Sequence, residues 1–173
     1  MSIHIIIDGY NLIRQSNSFS DFDRQDIQLG REALLDTLSA YRRIKPHKIT
    51  VVFDGTNAPG FSQNSIQIKG IKVKFSRTGE SADSVIKNMA SREREKSLIV
   101  SSDLDIVNFA TSKGAATISS AEFEERIAQA VYMNETGIGN KDEGGWVPTT
   151  RKKGPSRRLS KRNRRNRIKI KKL

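Results

Sequence analysis

Three times this chain runs through a short block of β-branched and aliphatic residues and then meets an aspartate. "HIIIDG" does so at 4–9, "KITVVFDG" at 48–55 and "SLIVSSD" at 97–103. Blocks that are apolar at consecutive positions are covered on both faces, as strands of a parallel sheet are. Helical spacing fills the intervals between them. Leu29, Ala33, Leu34, Leu38 and Tyr41 predict an inward helical face starting near residue 26 and ending before Pro46. Ala82, Val85, Ile86 and Met89 predict another over about 80–96. Residues 104–113 read as a helix closed by Gly114. Ser119 and Glu122 form a capping-box pair that opens a last helix through Phe123, Ile127, Ala130 and Val131.

The remaining segments are weaker signals. "IKVKF" (71–75) alternates with period two, which predicts a strand with one solvated face, at an edge of the sheet. "AATI" (115–118) is a short last strand. Residues 9–25 are polar and read as a loop, and 56–65 is turn chemistry. Alternating strands and helices imply an α/β fold, a mostly parallel sheet with helices on both faces. Ligands of such sheets bind beyond the carboxyl ends of the strands. Asp8, Asp54 and Asp103 all fall there.

A single strand-end aspartate is more often a helix cap or turn former than a catalytic group. Three at equivalent strand ends should converge. Close carboxylates repel one another unless a cation sits among them, and hard oxygen ligands suit Mg²⁺ or Mn²⁺. "GESADSVI" (79–86) adds Glu80 and Asp83, three apart on the predicted helix and so on one face. For Glu80, complementing the helix dipole explains the placement as well as function does. Asp83, bordered by core residues, is the stronger site candidate.

At this point the sequence resembles a known family. "IDGYNLI" (7–13), "GESADSVI" and "SSDLDI" (101–106), with "VVFDG" between the first two, are similar to the signature of NYN domains, PIN-like metal-dependent ribonucleases. Their order resembles the YacP/Rae1-like branch in particular, over about residues 1–135. The resemblance implies a PIN-like three-layer α/β fold with a central, mostly parallel sheet. It also implies an endoribonuclease acting on mRNA in a ribosome-associated setting. Matched by motif, Asp8, Asp83 and Asp103 are the metal-binding catalytic acids, and Asn11 orients Asp8 or the scissile phosphate. Asp105 would join the metal site only if Asp103 precedes the helix, because residues two apart do not share a helical face. Asp54 and Glu80 are ancillary.

Charge separates the chain further. Residues 151–173 hold 13 of the 31 Lys and Arg and none of the 19 Asp and Glu, leaving 18 basic against 19 acidic residues in 1–150. A near-neutral body therefore carries a cationic tail. Arg151, Lys152, Lys153, Arg157, Arg158, Lys161, Arg162, Arg164, Arg165 and Arg167 are its candidate RNA contacts, since each neutralised phosphate releases counterions. With four apolar residues, the tail should be disordered in isolation, and the body should fold without it. Residues 136–150 read as a linker, in which Trp146 could stack on a base or pack back. Arg42, Arg43, Lys45 and Lys48 at one junction, and Lys69, Lys72 and Lys74 along one strand, are further cationic surfaces.

Several classes are excluded. Without cysteine there is no disulfide framework or thiolate zinc site. No apolar stretch reaches the ~20 residues that span a bilayer, and the amino terminus lacks a secretory pattern, so a soluble cytoplasmic protein is expected. A haloacid-dehalogenase-like phosphatase needs a second acid where Tyr10 stands. No G-x-G-x-x-G follows the first strand. His4 and His47 lie in or beside strands and read as structural. The competing functional class is a non-catalytic RNA- or ribosome-binding module of the same fold. Neither class fixes an oligomeric state.

Overall fold

Ile5, Ile6 and Ile7 are fully buried in β1 (His4–Asp8), which lies inside a six-stranded sheet. The structure is a computed structural model that describes residues 2–55, 65–137 and 160–173. β1 pairs in parallel with β2 (Lys48–Phe53) on one side and β5 (Ser97–Val100) on the other. β4 (Ile71–Phe75) and β6 (Ala116–Ile118) extend the parallel ladder outward. β3 (Ser65–Ile68) pairs antiparallel with β4, giving the order β3-β4-β2-β1-β5-β6.

Alternation along the strands sorts side chains between two helical layers. Ile5, Ile7 and Val51 join Leu12, Leu34, Leu38 and Phe123 from α1 (Gly9–Gln15), α3 (Ile27–Ile44) and α6 (Ser120–Thr136). Ile6, Val52 and Ile99 join Val85, Ile86, Ile106 and Ala110 from α4 (Ala82–Glu93) and α5 (Leu104–Ser112) on the opposite face. Asp8 has the parity of Ile6. The strand therefore delivers its carboxylate toward the α4/α5 side.

Four local expectations change. Residues 9–25 are not a loop but two helices, α1 and α2 (Asn17–Gln25), split at Ser16. The Ser16 hydroxyl accepts from the amides of Ser18 (3.1 Å) and Phe19 (3.0 Å), so a polar stretch is held helical by its cap and by buried Phe19. β3 emerges from what reads as turn chemistry and covers β4, which is thus next to the edge rather than on it. Leu29 is 41% exposed, because Arg31 takes the inward position ahead of Leu34 and Leu38. Glu80 precedes α4, whose cap is Ser81, so Glu80 and Asp83 do not share a helical face.

α7 (Lys161–Ile170) lies along the β6 edge, where the Asn166 carboxamide accepts from the Thr117 amide at 3.0 Å and donates to its carbonyl at 3.4 Å. One side chain thereby pairs an edge that would otherwise be open. Beyond it, Leu173 is buried and its carbonyl accepts from Tyr41 Oη at 3.0 Å. Ending the chain after Thr150 is accordingly expected to cost about 3 kcal/mol, from lost apolar burial and unpaired polar groups. Urea unfolding checks this; a midpoint equal to that of the full chain would mean that α7 does not support the body.

Candidate active site

The Asp8 carboxylate sits at the carboxyl end of the central strand and caps α1, accepting from the Asn11 amide at 3.3 Å. Its other oxygen accepts from Ser101 Oγ at 3.2 Å. Gly9 follows because a Cβ there would run into the Phe53 ring, so the turn from β1 into α1 closes against an aromatic wall. Asp8 is 8% exposed. Burial is the main force pushing its carboxyl up to about 6; the two hydrogen bonds oppose the shift, and the charges of Asp83 and Asp103 add to it. A buried acid in the field of two others is the arrangement expected of a site.

Asp103 is the N-cap of α5, accepting from the amides of Asp105 (2.8 Å) and Ile106 (3.4 Å). Its own amide donates to Ser101 Oγ at 3.1 Å, so one buried hydroxyl bridges Asp8 and Asp103. Asp83 is half-buried in the first turn of α4. Among the described residues, no ion pair ties Asp8, Asp83 or Asp103 to a lysine or arginine.

The family model described as "YacP-like NYN domain" matches residues 5–171. The chain belongs to the YacP-like NYN domain family. Two crystal structures of Rae1 (YacP) from Bacillus subtilis share the fold of this NYN domain. One has 21% identity and a TM-score of 0.66, covering 80% of each chain. The other, of a point mutant of the same protein, has 19% identity and a TM-score of 0.65, covering 79% of this chain and 81% of that one. None of the curated proteins matches.

Asn11, the asparagine of this NYN domain's DGYN stretch, holds loops together. Its Oδ1 accepts from the Ser102 amide at 2.9 Å and from Ser120 Oγ at 2.8 Å. It thus joins the start of α1 to the turn before α5 and to the start of α6. Asn11→Ala should leave both donors unpaired, costing about 2 kcal/mol, and should loosen the turn that carries Asp103. Thermal unfolding together with cleavage rate checks this; wild-type values of both would remove Asn11 from the site.

The other candidates lie apart or are engaged. Asp54 Oδ1 accepts from Ser76 Oγ at 3.4 Å, and the same hydroxyl accepts from the Gly55 amide at 2.9 Å, so Asp54 helps shape the turn after β2. Glu80 lies in the turn before α4, where its amide donates to the Arg77 carbonyl at 2.9 Å. Asp105 is 76% exposed and paired with Lys87, which stands one turn after Asp83 on α4. That bond, with the Asp83 and Asp103 charges, pushes the Lys87 ammonium up. Since Asp103 is the cap, the condition for Asp105 to approach the same point is met. His4 bonds Glu93 and Thr50, and burial pulls its imidazole down. His47 Nε2 bonds the Lys172 carbonyl at 3.1 Å. Both histidines are remote from the acids.

Among the described residues, no group of three carboxylate or imidazole side chains is close enough to hold a metal ion. The donor chemistry nonetheless suits Mg²⁺ or Mn²⁺: oxygen only, partly desolvated and, among the described residues, without an ion pair at Asp8, Asp83 or Asp103. Sequence reasoning missed Ser101, Ser120 and Arg31. The serine pairs in "SSDLD" and "ISSAE" were the only signal, and Arg31 gave none beyond its helical phase. Of the tail candidates, Arg164, Arg165 and Arg167 lie exposed on α7, with Arg165 paired to Glu95. Arg151, Lys152, Lys153, Arg157 and Arg158, residues 138–150 of the linker with Trp146, and the side chains of Lys161 and Arg162 lie outside the described residues. No helix among the described residues is long and apolar enough to cross a membrane.

Proposed function

We propose that this protein is a metal-dependent endoribonuclease, hydrolysing phosphodiester bonds of mRNA in a ribosome-associated setting, in the cytoplasm. The observation that carries the reading is the buried Asp8 carboxylate at the end of the central strand, raised in the field of Asp83 and Asp103. The NYN family supports a nuclease, and RNA as its substrate. Asp8, Asp83 and Asp103, with Asp105 at the margin, would hold Mg²⁺ or Mn²⁺. Bound there, such an ion would acidify water and offset charge on the phosphate.

The chain's own part is positional. Ser101 fixes Asp8 relative to Asp103, and Asn11 fixes the turn that carries Asp103. Burial at the end of the strand keeps Asp8 from being levelled by water. Below about pH 6 Asp8 takes up a proton and ceases to be an anionic ligand, so cleavage should fall on the acid side. The basic residues of the tail would supply the attraction that an acidic pocket lacks.

The test incubates the protein with mRNA in a translating extract, with and without Mg²⁺, beside Asp8→Asn and Asp83→Asn. Cleavage confined to the unsubstituted protein with Mg²⁺ is expected; equal cleavage by the variants would sink the mechanism. One observation favours the alternative, a non-catalytic RNA- or ribosome-binding module: the three acids do not form a closed metal group. RNA binding without cleavage under every condition is the result that reading predicts.

A further inference from the structure

The parallel topology sends opposite charges to opposite ends of the sheet. Asp8, Asp83, Asp103 and Asp105 lie where the strands leave it. Cations lie where the strands enter: Arg42 and Arg43 close α3, Lys48 opens β2, Lys69 turns the β3–β4 hairpin, and Lys96 precedes β5. The end of α7 is laid across the same end, fixed through Leu173 to Tyr41 and through Lys172 to His47. The acids of this end are already matched, Glu93 by His4, Glu95 by Arg165 and Asp36 by Lys69. Arg43, Lys48, Lys96 and Lys172 are exposed and have no carboxylate partner among the described residues.

This end is also concave. A cavity of about 710 Å³ has an apolar floor that includes Ile3, Ala116 and Ile168, and cations at Lys96, Lys169 and Lys172. A second, of about 390 Å³, lies among Ser39, Arg42, Arg43 and Lys69. An apolar floor ringed by cations, with a second cationic hollow beside it, matches single-stranded RNA, which offers unstacked bases and phosphates together. We propose that the amino-terminal end of the sheet is a second RNA-binding face, which holds a stretch of RNA away from the acids while another stretch is presented to them. The choice of RNA rests on the nuclease reading above; the existence of the face rests on its charge and shape. β1 alone separates the two ends by roughly 15 Å, so the two stretches are distinct.

The test uses full-length protein carrying Asp8→Asn, so that bound RNA persists whether or not the wild type cleaves. A 30-nucleotide single strand is titrated by fluorescence anisotropy across a salt series, and lysine acetylation is mapped with and without RNA. Protection of Lys96 and Lys172 is expected. Adding Arg43→Glu, Lys96→Glu and Lys172→Glu should weaken binding at least tenfold and reduce the salt slope by about 2, from about 0.7 per phosphate contact. The same three positions changed to Gln give a milder variant in case charge reversal perturbs folding; a similar slope change of about 2 is expected there, with a smaller loss of affinity. Protection confined to Lys87, beside the acids, would overturn the proposal. So would unchanged affinity and slope in both variants, or capture of anionic vesicles without RNA binding. Absence of cleavage by the wild type bears on the nuclease reading alone and leaves these readouts standing.

Discussion

Asp8→Asn is expected to abolish cleavage and, at the same time, to make the protein more stable above pH 6. In the folded state burial pushes the Asp8 carboxyl up to about 6, from an ordinary value of 3.8. Between those two values the folded protein keeps a proton that the unfolded chain has released. Stability linked to Asp8 is therefore fully present below about pH 4 and is lost as pH rises through about 6. The loss is about 3 kcal/mol at neutral pH, since holding a proton across each pH unit is worth ~1.4 kcal/mol. Asparagine keeps the shape and an acceptor for the Asn11 amide without carrying the charge. The variant should gain about 1–3 kcal/mol at pH 8 and show a flatter pH profile from 4 to 6. Urea unfolding at pH 4, 6 and 8 measures both. A variant less stable than wild type at pH 8 would show that Asp8 is a structural cap rather than a strained acid.

Arg31→Ala carries the second large effect, here on the fold beside the site. Arg31 is 4% exposed, and its guanidinium lies 5.4 Å from the Tyr10 ring centroid and 5.5 Å from those of Phe53 and Phe75. Its Nε donates to Tyr10 Oη at 2.9 Å. A desolvated cation–π contact is worth about 2 kcal/mol, and truncation also opens a void against Phe53. A loss of about 3–4 kcal/mol is expected, or a midpoint lower by about 10 °C for a chain of this length. Arg31→Met keeps the stem volume and should recover about half; Lys should not restore the rest, because a compact ammonium cannot lie flat on three rings. Tyr10 stands between Gly9 and Asn11, so slack there should also lower cleavage beyond the folded fraction. A thermal midpoint within about 2 °C of wild type for Arg31→Ala would mean the aromatic wall stands without it.

How much could be read in advance follows from how local each signal is. The strands β1, β2, β4, β5 and β6 and the helices α3 to α6 were legible because their apolar residues repeat at consecutive, alternating or helical spacing within one segment. The end of β1 at Asp8 was legible for the same reason. α1 and α2 were not, since they are short and polar and exist through single caps at Asp8 and Ser16. β3 was hidden because its partner, β4, lies beyond a hairpin, and pairing is not a property of one segment. In the candidate site, the acids were visible by type and position. The hydrogen-bonding frame that sets their spacing was not, because Ser101, Ser120 and Asn11 come together from three separate segments. Asp105 and Glu80 were already the weaker candidates in sequence; in the structure a lysine on α4 pairs with the first, and α4 begins two residues after the second. α7 escaped notice because its docking depends on Asn166, Ile170 and Leu173, three residues among thirteen cations.

The central claim is that Asp8, Asp83 and Asp103 share a divalent cation. Titrating Mn²⁺ into the wild type and into Asp8→Asn, Asp83→Asn and Asp103→Asn, followed by electron paramagnetic resonance of the free ion, tests it apart from any substrate. Binding by the wild type that weakens at least tenfold in each of the three variants is the predicted result. Equal Mn²⁺ uptake by all four proteins would contradict it.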